Sequence, residues 1–217
     1  MARQLDNIWV FRIIPIQNLK NNLREGLYCK NAGKKSKDFL SIGSKDIISE
    51  RDNRVVKCYP DTVVNDYVPF YFSVRTPMLY NIITEHGVPI FPQKDIIYIC
   101  CKLIDLACED FQWCYTDGNA AKKISRFGND LDLLIGRIDW HSIDTTDFRD
   151  ENVDGDEDRV RKKHAEFIVK NHVPPKYIKR IVVLNKSKQI EVQSILDELE
   201  IDNIEVYINP KNKFYFI

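Results

Sequence analysis

The sequence predicts an α+β fold with mainly antiparallel or mixed sheets, on three observations. Runs rich in β-branched and aromatic residues outnumber helical patterns. The two kinds do not alternate regularly, which argues against a doubly wound parallel sheet. A chain of 217 residues with 44% hydrophobic composition suffices for one well-buried domain, read as spanning residues 1–217.

The first strand is Ile8-Trp9-Val10-Phe11-Arg12-Ile13-Ile14, ending at Pro15. A short helix follows over 18–26, with Leu19 and Leu23 one turn apart and Gly26 as its stop. Residues 30–37 are basic and poor in apolar side chains, a loop. A helix over 44–51 begins with Ser44 as its N-cap. Residues 67–80 interleave aromatic side chains with two prolines and read as part strand, part rigid turn. Strands over 96–101 and 111–115 flank a helical segment at 102–110, Thr116-Asp117-Gly118-Asn119 is turn chemistry, and helical pattern resumes over 126–135. The acid-rich stretch 141–158 predicts a long exposed loop or lid. A strand then starts near Ala165, and the chain closes with a turn at Pro174-Pro175, a strand over 181–184, a helix over 189–199 and two strands at 204–208 and 214–217.

Bulk chemistry narrows the function classes. Thirty-two basic residues balance thirty-two acidic ones, so nucleic-acid binding would require locally segregated charge. Six cysteines show no Cys-x-x-Cys spacing, and four lie in apolar surroundings; this reads as free thiols packed in a reducing, cytoplasmic setting. No signal-like N-terminus and no apolar run of membrane-spanning length occurs, so a soluble, non-exported protein without membrane contact is expected. The absence of Gly-x-Gly-x-x-Gly and of a phosphate loop argues against dinucleotide-fold and P-loop enzymes. No zinc-ligand spacing is present.

Two features carry more chemistry. In Arg159-Val160-Arg161-Lys162-Lys163-His164-Ala165-Glu166, a basic cluster leads into a strand bearing one carboxylate. Strand alternation puts His164, Glu166 and Ile168 on one face and Ala165, Phe167 and Val169 on the other. Composition alone makes Glu166 an exposed acid on an edge strand, and the basic cluster a counterweight to the preceding acids. The alternative is a polyanion held over the carboxylate. The aromatic run 67–80 reads as core, or as a platform for a stacked base with Arg75 near phosphate.

Four blocks decide between these alternatives. They are Asn18-Leu19 with Leu23-Arg24-Glu25-Gly26; Asp66-Tyr67-Val68-Pro69-Phe70-Tyr71-Phe72 continuing to Arg75 and Pro77-Met78-Leu79-Tyr80; Tyr115-Thr116-Asp117-Gly118; and Ala165-Glu166-Phe167-Ile168-Val169. In this order and spacing they resemble the DarT family of DNA ADP-ribosyltransferase toxins over nearly the whole chain. The resemblance implies an ADP-ribosyltransferase-like fold, two packed antiparallel or mixed sheets with flanking helices and a central NAD cleft. It implies transfer of ADP-ribose from NAD, a co-substrate used without metal, to a base of single-stranded DNA, thymine by family default. It also implies a macrodomain-type antitoxin as partner.

Carried over residue by residue, Glu166 is the catalytic glutamate. The family's catalytic arginine falls within Glu50-Arg51-Asp52-Asn53-Arg54, where an ungapped count back from Asp66 selects Arg51 and leaves Arg54 in reserve. Arg12, Ile13, Ile14, Asn18, Gly26, Arg51 and Tyr71 match positions around NAD. Arg75, Thr76, Pro77, Met78, Leu79, Tyr80, Asn119, Arg161, Lys162, Lys163 and His164 match DNA-contacting positions. The chain departs from the family where Arg12 and Pro15 replace two histidines, and where Asn119 replaces another. Asparagine offers a different donor and acceptor set from histidine, which makes guanine the alternative base. Competing classes are a non-catalytic single-stranded nucleic-acid-binding module, the same transferase acting on RNA, and a metal-dependent nuclease built on the acidic run.

Overall fold

The computed structural model describes residues 3–34, 39–88, 90–146 and 156–216. β1 (Trp9–Pro15) is followed by α1 (Leu19–Glu25), β2 (Leu27–Tyr28) and α2 (Lys45–Asp52). The hairpin of β3 (Val55–Val56) and β4 (Tyr59–Val63) leads into β5 (Tyr67–Tyr71) and α3 (Pro77–Ile83). Next come β6 (Ile96–Lys102), α4 (Leu103–Leu106), β7 (Trp113–Thr116), β8 (Phe127–Gly128), α5 (Leu131–Arg137) and α6 (Trp140–Asp144). α7 (Arg159–Lys163) precedes β9 (Glu166–Lys170) and β10 (His172–Val173), and β11 (Arg180–Val183), α8 (Lys186–Glu198) and β12 (Glu205–Ile208) close the chain.

Eight strands form one mixed sheet in the order β12-β11-β6-β1-β5-β9-β7-β8, beside the two-stranded ribbons β10-β2 and β3-β4. Its pairings are antiparallel except β11 with β12, whose parallel register requires the crossover that α8 supplies. The α+β expectation is thus met. β1 pairs with β6 along its whole length, from Trp9 opposite Lys102 to Pro15 opposite Ile96. Its pairing with β5 is confined to Phe11 opposite Tyr71. Pro69, two residues before Tyr71, has no N–H to give the ladder, and the Arg12 guanidinium takes the Pro69 carbonyl instead, Nη1 to O at 3.0 Å. The strands part there, and a cleft opens.

β9 is buried on both faces. Phe167 and Val169 enter the main core with Val10, Val68, Phe70 and Ile99, while Ile168 packs with Val56, Val64, Tyr67 and Cys114. The Phe167 ring stacks on Trp113 at 5.3 Å between centroids and meets Phe72 edge-on at 6.5 Å.

Several expectations shift. Within 67–80 a helix, α3, starts at Pro77 under a Thr76 cap; proline is tolerated in a first helical turn, so its presence did not mark a turn. In 126–135 the helix begins only at Leu131, capped by Asp130, after strand β8. Residues 214–216 do not pair as a strand. They lie over the sheet, with the Tyr215 hydroxyl 2.9 Å from both the Ile96 and Val182 carbonyls. The acidic stretch begins as helix α6 rather than loop, and its Asp147, Asp150, Glu151 and Asp154 fall outside the described residues, as do 35–37 of the basic loop.

Phe167 is fully buried beside the residue that matters most below. Phe167→Ala is expected to cost about 3–5 kcal/mol, read as a lowered urea-unfolding midpoint; an unchanged midpoint contradicts this packing.

Candidate active site

Glu166, the first residue of β9, is 1% exposed, not the surface acid that composition suggested. A buried carboxylate needs hydrogen bonds and a counter-ion. Arg51 Nη1 donates to Oε1 at 3.1 Å and to Oε2 at 3.0 Å, and the Ala120 N–H donates to Oε1 at 3.0 Å. The Glu166 N–H donates to Thr116 Oγ1 at 3.2 Å, which ties its backbone to the end of β7. Arg51 comes from the last turn of α2. That helix is fastened by Asn65, whose Nδ2 donates to the Ile48 carbonyl at 2.8 Å and to Asp52 Oδ1 at 2.6 Å.

Arg54 goes elsewhere. Its Nη2 donates to the Lys123 and Ser125 carbonyls at 3.2 and 3.0 Å, and its guanidinium lies over Phe127. The geometry therefore brings Arg51, not Arg54, to the glutamate. Among the described residues Arg51 Nη2 is buried without a hydrogen-bond partner, an unusual state for a guanidinium nitrogen and one that a ligand oxygen would relieve.

The pair stands in a cavity of about 340 Å³ whose wall includes Arg12, Ile13, Ile14, Asn18, Gly26 and Tyr71. All the residues expected around NAD are thus brought together. Asn18 is also structural: Nδ2 donates to the Leu40 carbonyl at 2.8 Å and Oδ1 accepts the Leu40 N–H at 3.0 Å, holding a loop at the cleft's edge. Gly26 ends α1 at φ +87°, and a Cβ there would stand 2.4 Å from the Val173 carbonyl. Burial pulls the Arg12 guanidinium down to about 10, with Arg51 adding repulsion against the opposing pull of Tyr71 and Glu166. Burial, then the nearby Glu166 charge, pushes the Tyr71 phenol up, so it stays protonated; its hydroxyl donates to Met78 Sδ at 3.1 Å. Burial likewise raises the Cys29 thiol at the cleft and those of Cys100 and Cys101, in line with inert packing.

The expected DNA-contacting set divides. Met78, Asn119 and His164 line the cleft, and Tyr80 is exposed. Thr76, Pro77 and Leu79 are buried in or under α3, Thr76 as its cap. Arg75 Nε donates to the Tyr215 carbonyl at 2.7 Å and Nη2 to the Asn212 carbonyl, so it fastens the C-terminal segment. The basic cluster is turned inward. Arg161 pairs with Asp117 and Asp158, Lys162 with Asp139 and Asp156, and Lys163, 1% exposed, donates to the Ile143 and Thr145 carbonyls at 2.7 and 2.6 Å. Gly118 makes room for Arg161, whose Nη1 would lie 2.2 Å from a Cβ there. An open cationic face formed by these three is not what the fold builds, because nearby carboxylates and carbonyls satisfy them first.

Sequence reasoning missed the Ala120 N–H and the Thr116 hydroxyl as partners of Glu166. A backbone donor leaves no residue-type signal; the Thr116-Asp117-Gly118 turn was the available pointer to both. Among the described residues no group of His, Cys, Asp or Glu is arranged to hold a metal ion, and no helix is long and apolar enough to cross a membrane.

A glutamate at the start of a central strand, ion-paired across a cleft that opens where two sheet strands part, marks an ADP-ribosyltransferase-like fold. The chain belongs to the DarT family: the family model described as "ssDNA thymidine ADP-ribosyltransferase, DarT" matches residues 11–216. It is 30% identical to a DNA ADP-ribosyl transferase of Thermus aquaticus over 86% of this chain and 80% of that one. It superposes on Thermus sp. 2.9 DarT in complex with ADP-ribosylated ssDNA with a TM-score of 0.85, at 27% identity and covering 99% of this chain and all of that one; the same protein in complex with NAD+ gives 0.81, at 26% identity over 96% and 98% of the chains. A Thermosipho africanus DNA ADP-ribosyl transferase-DNA ADP-ribosyl glycohydrolase fusion protein is 25% identical over 96% of this chain, which spans 49% of the fusion.

Removing one member of a buried ion pair strands the other. Arg51→Met is expected to lower unfolding stability by about 3 kcal/mol, and Glu166→Gln in the same chain to recover part of it. Strict additivity of the two changes in urea unfolding would show that the pair is not coupled.

Proposed function

We propose that this protein transfers ADP-ribose from NAD to a nucleobase of single-stranded DNA and releases nicotinamide. The observation that carries the reading is the buried Arg51–Glu166 pair on the cleft wall with Arg51 Nη2 unsatisfied, in a chain whose Thermus sp. 2.9 relative is described with NAD+ and with ADP-ribosylated ssDNA. The cavity is within the range that fits a small-molecule ligand.

Breaking the bond between ribose and nicotinamide gathers positive charge on the sugar, as in glycoside hydrolysis. Glu166, held anionic by Arg51 and the Ala120 N–H, is preorganised to face that charge and to accept a ribose hydroxyl. Arg51 has two duties. Nη1 aims the carboxylate, and Nη2 offers a donor to a phosphate or carbonyl oxygen of the bound dinucleotide. Tyr71, protonated and in register between Phe11 and Glu166, supplies an apolar ring beside the reacting centre. An acceptor base must be unpaired to enter such a cleft, which accounts for a single-stranded substrate.

The protein acts, in this reading, as a cytoplasmic toxin restrained by a macrodomain-type partner that removes the modification. Support comes from the Thermosipho fusion, which joins the transferase to a glycohydrolase in one chain.

Glu166→Gln keeps the side chain's shape and removes its charge. It is expected to slow ADP-ribosylation of a single-stranded oligonucleotide by about 10²-fold or more, measured as NAD-dependent retardation of the oligonucleotide on a denaturing gel. Transfer at the wild-type rate contradicts the assignment.

A further inference from the structure

His164 faces the cleft with its proton position set by the fold. Nδ1 lies 3.0 Å from the Val160 carbonyl oxygen. A carbonyl only accepts, so Nδ1 carries the hydrogen, and in the neutral ring Nε2 keeps an unshared electron pair. With Nδ1 turned back onto α7, the Nε2 edge points away from that helix, toward the cleft that His164 lines. The groups around the ring are Tyr71 from β5, 6.0 Å away between centroids, Arg51 from α2, Glu166 from β9 and Lys163 from α7. Burial holds the imidazole below its ordinary pKa, with Arg51 and Lys163 lowering it further against the Val160 hydrogen bond and the Glu166 charge. The ring is neutral at pH 7.

Asn119 is its neighbour. The Arg161 carbonyl accepts from both the Asn119 N–H at 3.0 Å and the His164 N–H at 3.1 Å, which pins the two residues side by side. Asn119 Oδ1 is occupied by the Ala121 N–H at 3.0 Å, so the side chain offers the Nδ2 hydrogens. An acceptor and a donor therefore stand together on the wall that bears Glu166.

Resting on the transferase reading above, we propose that His164 Nε2 and Asn119 Nδ2 read the target base as an acceptor and donor pair, and that His164 takes the proton the base gives up. In the transfer the bond between ribose and nicotinamide breaks, and its electron pair leaves with nicotinamide. A base nitrogen forms the new bond to the ribose carbon, and the hydrogen on that nitrogen must depart. Glu166 already accepts three N–H contacts and faces the ribose; His164 offers an open lone pair at the base's side. An acceptor beside a donor matches a ring N–H beside a carbonyl, the edge shared by thymine and guanine. Adenine and cytosine present a bare ring nitrogen beside an amino group, the opposite pattern.

The test is single-turnover transfer from NAD to a random-sequence single-stranded pool, with modified nucleosides identified by mass spectrometry, for the wild type, His164→Gln and His164→Ala. The adduct is expected on thymidine or deoxyguanosine. The wild-type rate should fall with acid below about pH 6.5 as the ring protonates. His164→Gln should bind NAD normally, transfer about 10²-fold more slowly and lose that acid limb, and added imidazole should restore His164→Ala. A His164→Gln protein that transfers at the wild-type rate with the same acid limb overturns the proton role, and an adduct on deoxyadenosine or deoxycytidine overturns the base-reading pair. If His164→Gln fails to bind NAD, imidazole rescue of His164→Ala decides: restoration supports the role, and its absence overturns it. A wild type that modifies no nucleoside overturns the transferase reading, a result distinct from an active wild type with indifferent His164 variants.

Discussion

The ion pair between Arg51 and Glu166 joins two parts of the chain that have no other reason to meet at these atoms. Glu166 is delivered by the sheet: its register places it opposite Tyr71, and Tyr71 opposite Phe11. Arg51 is delivered by a helix outside the sheet, anchored through Asn65. In a low-dielectric wall neither charge is tolerable alone, so α2 is obliged to lie against the start of β9 and the cleft acquires a fixed width. The ion pair is therefore a structural constraint and the chemical centre together. A site that must present a carboxylate to a developing positive charge benefits when that carboxylate is already oriented and desolvated.

The cleft itself follows from a second constraint, a proline. Pro69 cannot complete the ladder between β1 and β5, and Arg12 occupies its carbonyl. A continuous β1–β5 ladder would close the sheet where the ligand must enter. Arg12 also helps explain how the chain dispenses with a histidine at that position: a long guanidinium spans the gap between two separated strands, which an imidazole reaches less far to do.

The sheet strands were legible because their residues are β-branched and aromatic and both faces of the central strands are buried. Glu166 was not legible from composition. A carboxylate beside Phe167 and Ile168 is ambiguous until its counter-ion is known, and Arg51 lies 115 positions away; only the block at 66–72 and its resemblance linked them. Arg51 and Arg54 are three residues apart and chemically equal in sequence. Their separation into a cleft-facing and a packing arginine depends on how the chain turns after α2. The cluster at 161–163 misled because density of charge along a chain says nothing about whether acids fold back on it, as Asp117, Asp139, Asp156 and Asp158 do. The proline at 77 was read as a turn because both a turn and a helix start accept it.

Intact mass spectrometry of a random-sequence single-stranded oligonucleotide after incubation with this protein and NAD tests the account most directly. The account predicts a product heavier by one ADP-ribosyl group, formed with release of one nicotinamide. An oligonucleotide of unchanged mass, in a reaction whose NAD remains intact, would contradict it.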